Sequence, residues 1–319
     1  MNNIIIDGMS FTLPLFIMAI GGIYSERSGI TNLALEGLQG MGAFIGALAA
    51  YIAVNQLGMT QGTAYVIAFL FAIIGGAVYA LLHALLCIRF KANQVISGVV
   101  INLLATSLTV FLTKTINKTV FGAASNKIDL GVSARYTVPG ISKIPFLGAF
   151  FTDVYPFELI IIAVAFIAWF VMYRTPYGLH LRACGDNPHA ADAAGLNVSR
   201  IRFIAVMVSG GLSGIAGMSF AYSIFAKFSG DIYVGYGFLS IAALIFGSWK
   251  ILPTLGACMI FGFARSAGYQ LVQAAGLPSA YSDLIMILPY VLTLVLLMFF
   301  SKNNQSPRAL GEIYDKSRR

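Results

Sequence analysis

Apolar runs of membrane length recur along this chain and leave few folds open to it. Stretches near 4–23, 32–54, 63–88, 95–113, 156–173, 203–226 and 283–300 are each long enough to cross a hydrocarbon core as a helix. No water is present there to satisfy an open backbone, so each run must close its own hydrogen bonds. Two further segments are less regular. Phe238–Phe246 is short, fitting a re-entrant piece or a half-helix, and Pro253–Gln273 carries Arg265. The expected fold class is an all-α polytopic transmembrane helical bundle of about eight to nine membrane helices. It forms a single domain over 1–319, with an outer loop at 114–155 and a basic tail at 301–319, expected to be solvated or lipid-facing. Charged residues make up only 10% of the chain, against about a quarter in soluble domains. Ile4–Ile23, with no basic residue before it, is expected to be a retained helix rather than a cleaved signal.

Charge placement gives an orientation. With the N-terminus outside and nine crossings, Arg27, Arg89, Lys91, Lys250 and the basic tail fall inside, as do the four arginines of 174–202. Most of the remaining cations lie in the long outer loop, where the rule is weaker. The net charge of +8 therefore follows topology and is no nucleic-acid signal.

The longest polar interval of the second half, 173–202, contains its own small helix signature. Asn187 can cap, Pro188 suits the first helical position, His189–Ala194 is alanine-rich, and Gly195 fits the stop. So short a helix does not hold alone in water and must dock on something. Together with Arg174, Arg182, Arg200 and Arg202, it reads as a cytoplasmic coupling surface for a soluble partner, carried by Arg182, Asp186, Asn187, Pro188, Ala190, Ala191, Ala194 and Gly195.

Several chemistries have no motif here. No lysine follows a glycine, so the chain has no P-loop. HExxH and GxSxG are absent, and Cys87, Cys184 and Cys258 have neither metal spacing nor even pairing. His180, Asp186, His189 and Asp192 read as solvated or partner-facing rather than as metal ligands, and His83 as a packing residue. No cofactor, metal or catalytic residue is expected on this chain.

Polar side chains inside the runs are more informative, because they are costly in lipid and face the bundle interior or a watered cavity. Asn32 and Glu36, read as sharing one face at the start of the second helix, are substrate-path candidates. So are Asn93, Gln94, Asn102, Arg265 and Gln270, with interhelical hydrogen bonding the competing role for each. Glu36 is expected near the inner end of its span, and Asp7, Glu26, Glu158 and Asp283 near span ends, a pattern that disfavours ion coupling. Small residues four apart (Gly42/Gly46; Ala72/Gly76/Ala80; Gly210/Gly214; Ser209/Ser213/Gly217) predict close helix contacts.

Four segments resemble a known family: GITNLALEGLQGMGAFIGA (29–47), NQVISGVVINLLA (93–105), RTPYGLHLRACGDNPHAADAAGLNV (174–198) and ALIFGSWKILPTLGACMIFGF (243–263). They look like permease subunits of bacterial ABC importers in the simple-sugar and branched-chain amino-acid superfamily, nucleoside-import branch. The resemblance implies a multi-pass cell-membrane subunit with N-terminus outside and C-terminus in the cytoplasm. It implies an ABC ATP-binding subunit that carries ATP and docks on 174–202, an extracellular substrate-binding lipoprotein, and a second permease, a heterodimer rather than a homodimer. Nucleosides are the expected substrate. Simple sugars, an autoinducer or branched-chain amino acids are the alternatives within the family, and an ion-coupled secondary transporter the alternative outside it.

Overall fold

The computed structural model describes residues 2–122, 125–131, 135–140, 142, 147–230, 233–276, 278, 287–293, 295, 298 and 305–316. The long helices are α1 (Asn2–Arg27), α2 (Leu35–Asn55), α3 (Gln61–Ala84), α4 (Gln94–Thr119), α5 (Pro156–Arg174), α8 (Val198–Phe220) and α10 (Ile251–Ala274). Shorter ones are α6 (Pro176–Asp186), α7 (Pro188–Ala193) and α9 (Tyr236–Phe246). Among the described residues, 7 helices are long and apolar enough to cross a membrane, and α9 is too short to do so alone. Half of the expected span 283–300, including Asp283, lies outside the described residues. The all-α bundle stands, and its helix boundaries fall within about six residues of the apolar runs.

The centre of the bundle is α1, α2 and α8, whose apolar windows are mostly buried, while only about a third of each window is buried in α4, α5 and α10. The small-residue spacings explain how α2, α3 and α8 approach. A Cβ added at Gly76 would collide with the carbonyl of Gly210, and one at Gly214 with that of Ala72. One at Gly42 would lie 2.5 Å from the Gly214 Cα. Backbones meet here with no side chain between them, which is what glycine allows in a packed membrane core.

The loops sort to two sides. On one side lie residues 28–31, 85–93, the α6–α7 segment and the 247–250 turn, held together by contacts such as Arg27 Nε to Trp249 O at 3.0 Å. On the opposite side, β1 (Ile128–Asp129) pairs antiparallel with β2 (Lys227–Phe228), and Lys227 meets Asp129 at 3.2 Å. Ile128 and Leu130 are buried, so this described part of the long loop is anchored onto the bundle rather than left as solvated coil.

The tail corrects the sequence expectation. Residues 305–316 do not hang free in solvent: largely exposed on their outer side, they fold back onto the α6–α7 side. Ala309 N–H donates to Gly185 O at 2.9 Å and Gly311 N–H to Gly29 O at 3.1 Å. Lys91–Asp315 (2.7 Å) and Lys316–Asp192 (3.5 Å) are ion pairs. A run this polar docks because buried Arg202 holds it. Its guanidinium donates to Ser28 O, Cys184 O and Glu312 O and lies 5.9 Å over the Tyr314 ring.

Candidate translocation seam and coupling surface

The second apolar run does not begin as a helix. α2 starts at Leu35, and residues 28–34 enter the bundle as non-helical backbone. Asn32 therefore does not share a helix face with Glu36, which corrects the expectation drawn from their spacing. Depth follows from neighbours. Asn32 Nδ2 donates to Ser209 Oγ at 2.9 Å, and Ser209 lies about 16 Å along α8 from Val198. Open backbone at that depth survives only where protein groups satisfy it. The polar candidates do that work. Gln94 Oε1 accepts from Thr31 N–H at 2.7 Å, and His83 Nε2 pairs with Thr31 O at 3.1 Å. Asn32 Oδ1 accepts from Ala34 N–H at 3.1 Å. Asn102 bridges the break, donating to Leu33 O and accepting from Gly37 N–H, both at 2.7 Å. Ser25, Glu26 and Arg202 take Ile30 O, Asn32 N–H and Ser28 O.

A second break faces the first. After β2 the described residues 229–230 and 233–235 are not helical, and α9 then completes the crossing. Eleven residues of α9 span about 16 Å, half of a hydrocarbon core of about 30 Å. Its N-terminus thus ends near mid-depth, where four N–H groups lack helical partners and the helix dipole is positive. Glu36 Oε2 accepts from Gly235 N–H there at 2.8 Å, and a Cβ at Gly237 would lie 2.5 Å from that of Glu36. Glu36 does lie in the first turn of α2, as its sequence position implied, but that turn starts deeper than expected. It sits about one α9 length from the Trp249 end, because the non-helical 28–34 segment has already covered that depth. The seam between 28–36 and 233–237 is where two interrupted crossings meet.

Arg265 lies about 21 Å along α10. It lines a cavity of about 240 Å³ with Asp7, Ser10, Ser223 and Tyr269, and its guanidinium sits 4.4 Å over the Phe11 ring. Among the described residues it makes no ion pair. Phe11 also packs on Phe220 and Tyr236, at the start of α9. Gln270 reaches Asp7 at 3.5 Å beside the same cavity. Arg265 and Gln270 thus come together on the side opposite α6–α7, away from Asn32, Gln94 and Asn102. Asn93 joins neither group. It is exposed and caps α4, accepting from Val95 N–H (3.0 Å) and Ile96 N–H (3.1 Å).

Sequence reading passed over Gln39, one turn beyond Glu36. It is fully buried, and neither carboxamide atom has a partner among the described residues. A glutamine inside an apolar run was the available signal; Tyr233, buried with a hydroxyl that has no partner among the described residues, was missed as well.

The 174–202 segment is built from successive N-caps. Thr175, Asn187 and Asn197 accept from Gly178, Ala190 and Arg200 N–H, with Pro176 and Pro188 in the first turns of α6 and α7. Gly195 adopts φ +87°, the left-handed stop that glycine favours. Pro188 and Ala191 are buried, Ala191 in a small cluster with Cys184 and Val198. Ala191 therefore faces its own chain, while His189, Ala190, Ala193, Ala194 and Gly195 are exposed. Arg182 folds back on α6, its Nε donating to Gly178 O. Burial raises the Cys184 thiol above its usual range, against the opposing Arg202 charge, so it stays protonated.

Known proteins can be set beside this geometry. The family described as branched-chain amino acid transport system / permease component matches residues 4–297. The guanosine ABC transporter permease protein NupQ of Bacillus subtilis (strain 168) is 39% identical over 97% of this chain and 95% of its own. The nucleoside ABC transporter permease protein NupC of Lactococcus lactis subsp. cremoris (strain MG1363) is 34% identical over 99% and 97%. A solved ABC transporter of metal-chelate type, in an inward-facing conformation, aligns with TM-score 0.50 at 16% identity over 93% of this chain and 85% of that one, a likeness of fold alone. The chain belongs to the branched-chain amino acid transport system permease family and is the multi-pass membrane subunit of an ABC importer, a transport component whose ATPase is a separate chain.

Proposed function

We propose that this permease imports nucleosides. The observation that carries the reading is the near-full-length 39% identity with a permease named for guanosine. The seam supports a gated path. Glu36 closes the mid-depth end of α9 onto α2, and each hydrogen bond across the break can be exchanged for another when the halves part. Arg265, over Phe11 and beside Asp7, offers the opposite mouth a planar cation and an aromatic face, groups that suit a heterocyclic, hydroxylated solute.

The α6–α7 side is the cytoplasmic one in this proposal, as the Lys and Arg distribution favours, so both breaks close toward the cytoplasm. The exposed face of α7 docks on the ATP-binding subunit, which carries ATP, while this chain carries no cofactor. A different permease completes the pore, a reading supported by the second Bacillus subtilis guanosine permease protein, NupP, at 28% identity over 86% of this chain. An extracellular binding lipoprotein delivers substrate to the opposite mouth.

The test is uptake. Deleting this permease abolishes accumulation of labelled purine or pyrimidine nucleosides supplied at low concentration. Normal nucleoside uptake in the deletant, with uptake of a sugar or leucine lost instead, defeats the proposal.

A further inference from the structure

On the α6–α7 side, α5 and α10 both pack on α1 and leave a cleft between them, a cavity of about 420 Å³. Its floor is cationic, formed by Arg27, Arg182 and Lys250, and its walls are Trp169, Tyr173 and Leu252. The cations differ in how they are occupied. Arg27 donates to the carbonyls of Ser248 and Trp249, and Arg182 uses Nε on Gly178 O and lies 5.7 Å over the Tyr173 ring. Lys250 is exposed, and none of the three forms an ion pair among the described residues. Of the acidic groups nearby, Asp186 lines the adjoining cavity of about 780 Å³ that shares Arg27 and Lys250, and Glu26 is buried beneath, accepting from Trp249 Nε1.

The level of this cleft is fixed by the helices that frame it. Tyr173, in the last turn of α5, accepts from the first N–H of α10 (Ile251 N to Tyr173 Oη, 3.2 Å), so the ends of two spans meet there. Aromatic side chains at span ends belong to the membrane–water boundary. On the bilayer side of that boundary the walls continue into exposed apolar groups: Phe166, Phe170 and Leu252 are 65%, 49% and 66% exposed. A cationic floor at headgroup depth, continuous with a lateral apolar wall, matches one occupant by charge and shape.

We propose that this cleft is a binding site for an anionic phospholipid, with the phosphate on Arg182 and Lys250 and an acyl chain along Leu252 and Phe170. A soluble acidic partner would meet the cations but not the sideways-facing apolar wall. A zwitterionic lipid would bring its phosphate together with a cation that Arg27 repels. The inference rests on membrane insertion with the α6–α7 side at the water boundary, not on which solute is carried.

The complete importer, purified and placed in nanodiscs containing equal phosphatidylglycerol and phosphatidylcholine, tests it through native mass spectrometry of the lipids retained. Wild type retains phosphatidylglycerol in preference. Lys250→Gln lowers that retention about fivefold and Arg182→Gln/Lys250→Gln about thirtyfold, the factors implied by roughly 1 kcal/mol per cation near an anionic surface. Lys250→Arg restores it, which separates charge from a folding defect. Equal retention of the two lipids by wild type, or unchanged phosphatidylglycerol in the double variant, overturns the site. Displacement of the lipid by soluble glycerol phosphate overturns it as well, since the site would then be one for a small phosphate. Nucleoside uptake enters none of these readouts, so failure here leaves the import proposal standing, and the reverse.

Discussion

α2 makes two contacts of opposite character. Along α3 and α8 it meets backbone directly, Gly42 against Gly214 and Ala72 and Gly46 against Ala68, just as Gly76 of α3 meets Gly210 of α8. At its other end, against 28–34 and α9, side chains serve opened backbone groups: Gln94 takes Thr31 N–H, Asn102 takes Gly37 N–H and Leu33 O, and Glu36 takes Gly235 N–H. The first kind of contact has one geometry, because close-packed backbones have no second set of partners. The second kind is a set of separate bonds, each replaceable by water or by a neighbour. A transporter needs both: a part that does not change and a part that has two closed states. On this comparison the α2–α3–α8 contact is the fixed frame and the seam is the gate.

The largest expected effect comes from breaking the frame. Gly76→Leu pushes a branched side chain into the Gly210 carbonyl, where neither backbone can yield. Overpacking typically costs 1–3 kcal/mol, and more where backbone blocks relaxation. Monodisperse protein recovered from membranes falls at least about tenfold. Gly62→Leu, at a position with open space, gives wild-type yield. If Gly76→Leu is recovered as well as Gly62→Leu, the frame is not tight.

Breaking the seam acts differently, on transport at unchanged yield. Glu36→Ala removes the carboxylate from the N-terminus of α9. Hydrogen bonds to a charged group contribute about 1.5–3 kcal/mol, so transport at limiting substrate drops by roughly ten- to a hundredfold. Glu36→Gln, which keeps an acceptor but not the charge, falls in between. Wild-type transport in Glu36→Ala, or loss of the protein from the membrane, removes Glu36 from the gate.

How much of this was legible depended on whether a residue's partner was local or distant. The helices and their small-residue faces followed from periodicity, and the α7 cap, proline and glycine stop all act within a few residues of each other. The seam did not, because Asn102 serves backbone 65 and 69 positions away and Glu36 serves Gly235 at 199. An apolar run cannot show that its first residues are extended, since extended and helical backbone use the same side chains. The tail failed for a related reason. Its polarity predicted solvation, but its partners are the carbonyls of Gly29 and Gly185, which carry no sequence signal.

A smaller effect sharpens the contrast between α7 and the body that holds it. Tyr314 lies 5.4 Å from His189 and under Arg202, so the tail ties the exposed helix to the 28–31 segment. Tyr314→Ala loosens this tie without touching the seam. Substrate-stimulated ATP hydrolysis by the complete importer drops severalfold, on the order of 1 kcal/mol for one lost aromatic contact, while co-purification of the ATPase stays near wild type. Unchanged stimulation would show that the tail is only a cover. Ala191→Trp makes a useful comparison. Because Ala191 is buried against Cys184 and Val198, this variant disorders α7 from within and lowers co-purification too.

The smallest effect separates Asn93 from Asn102, two asparagines that sequence alone placed together in the substrate path. Asn102 bridges the break in the second crossing with both carboxamide atoms, so Asn102→Ala leaves Leu33 O and Gly37 N–H without partners at membrane depth. Asn93 instead caps α4 from an exposed position, and water can replace it. Loss of an N-cap costs about 1 kcal/mol, which in a chain of this size lowers the melting temperature by roughly 2–4 °C. Asn93→Ala therefore shows that small thermal shift with wild-type transport at limiting substrate, and Asn93→Asp, which keeps the cap, shows neither change. Impaired transport in Asn93→Asp as well as Asn93→Ala would put the carboxamide itself in the path and would erase the distinction between cap and seam.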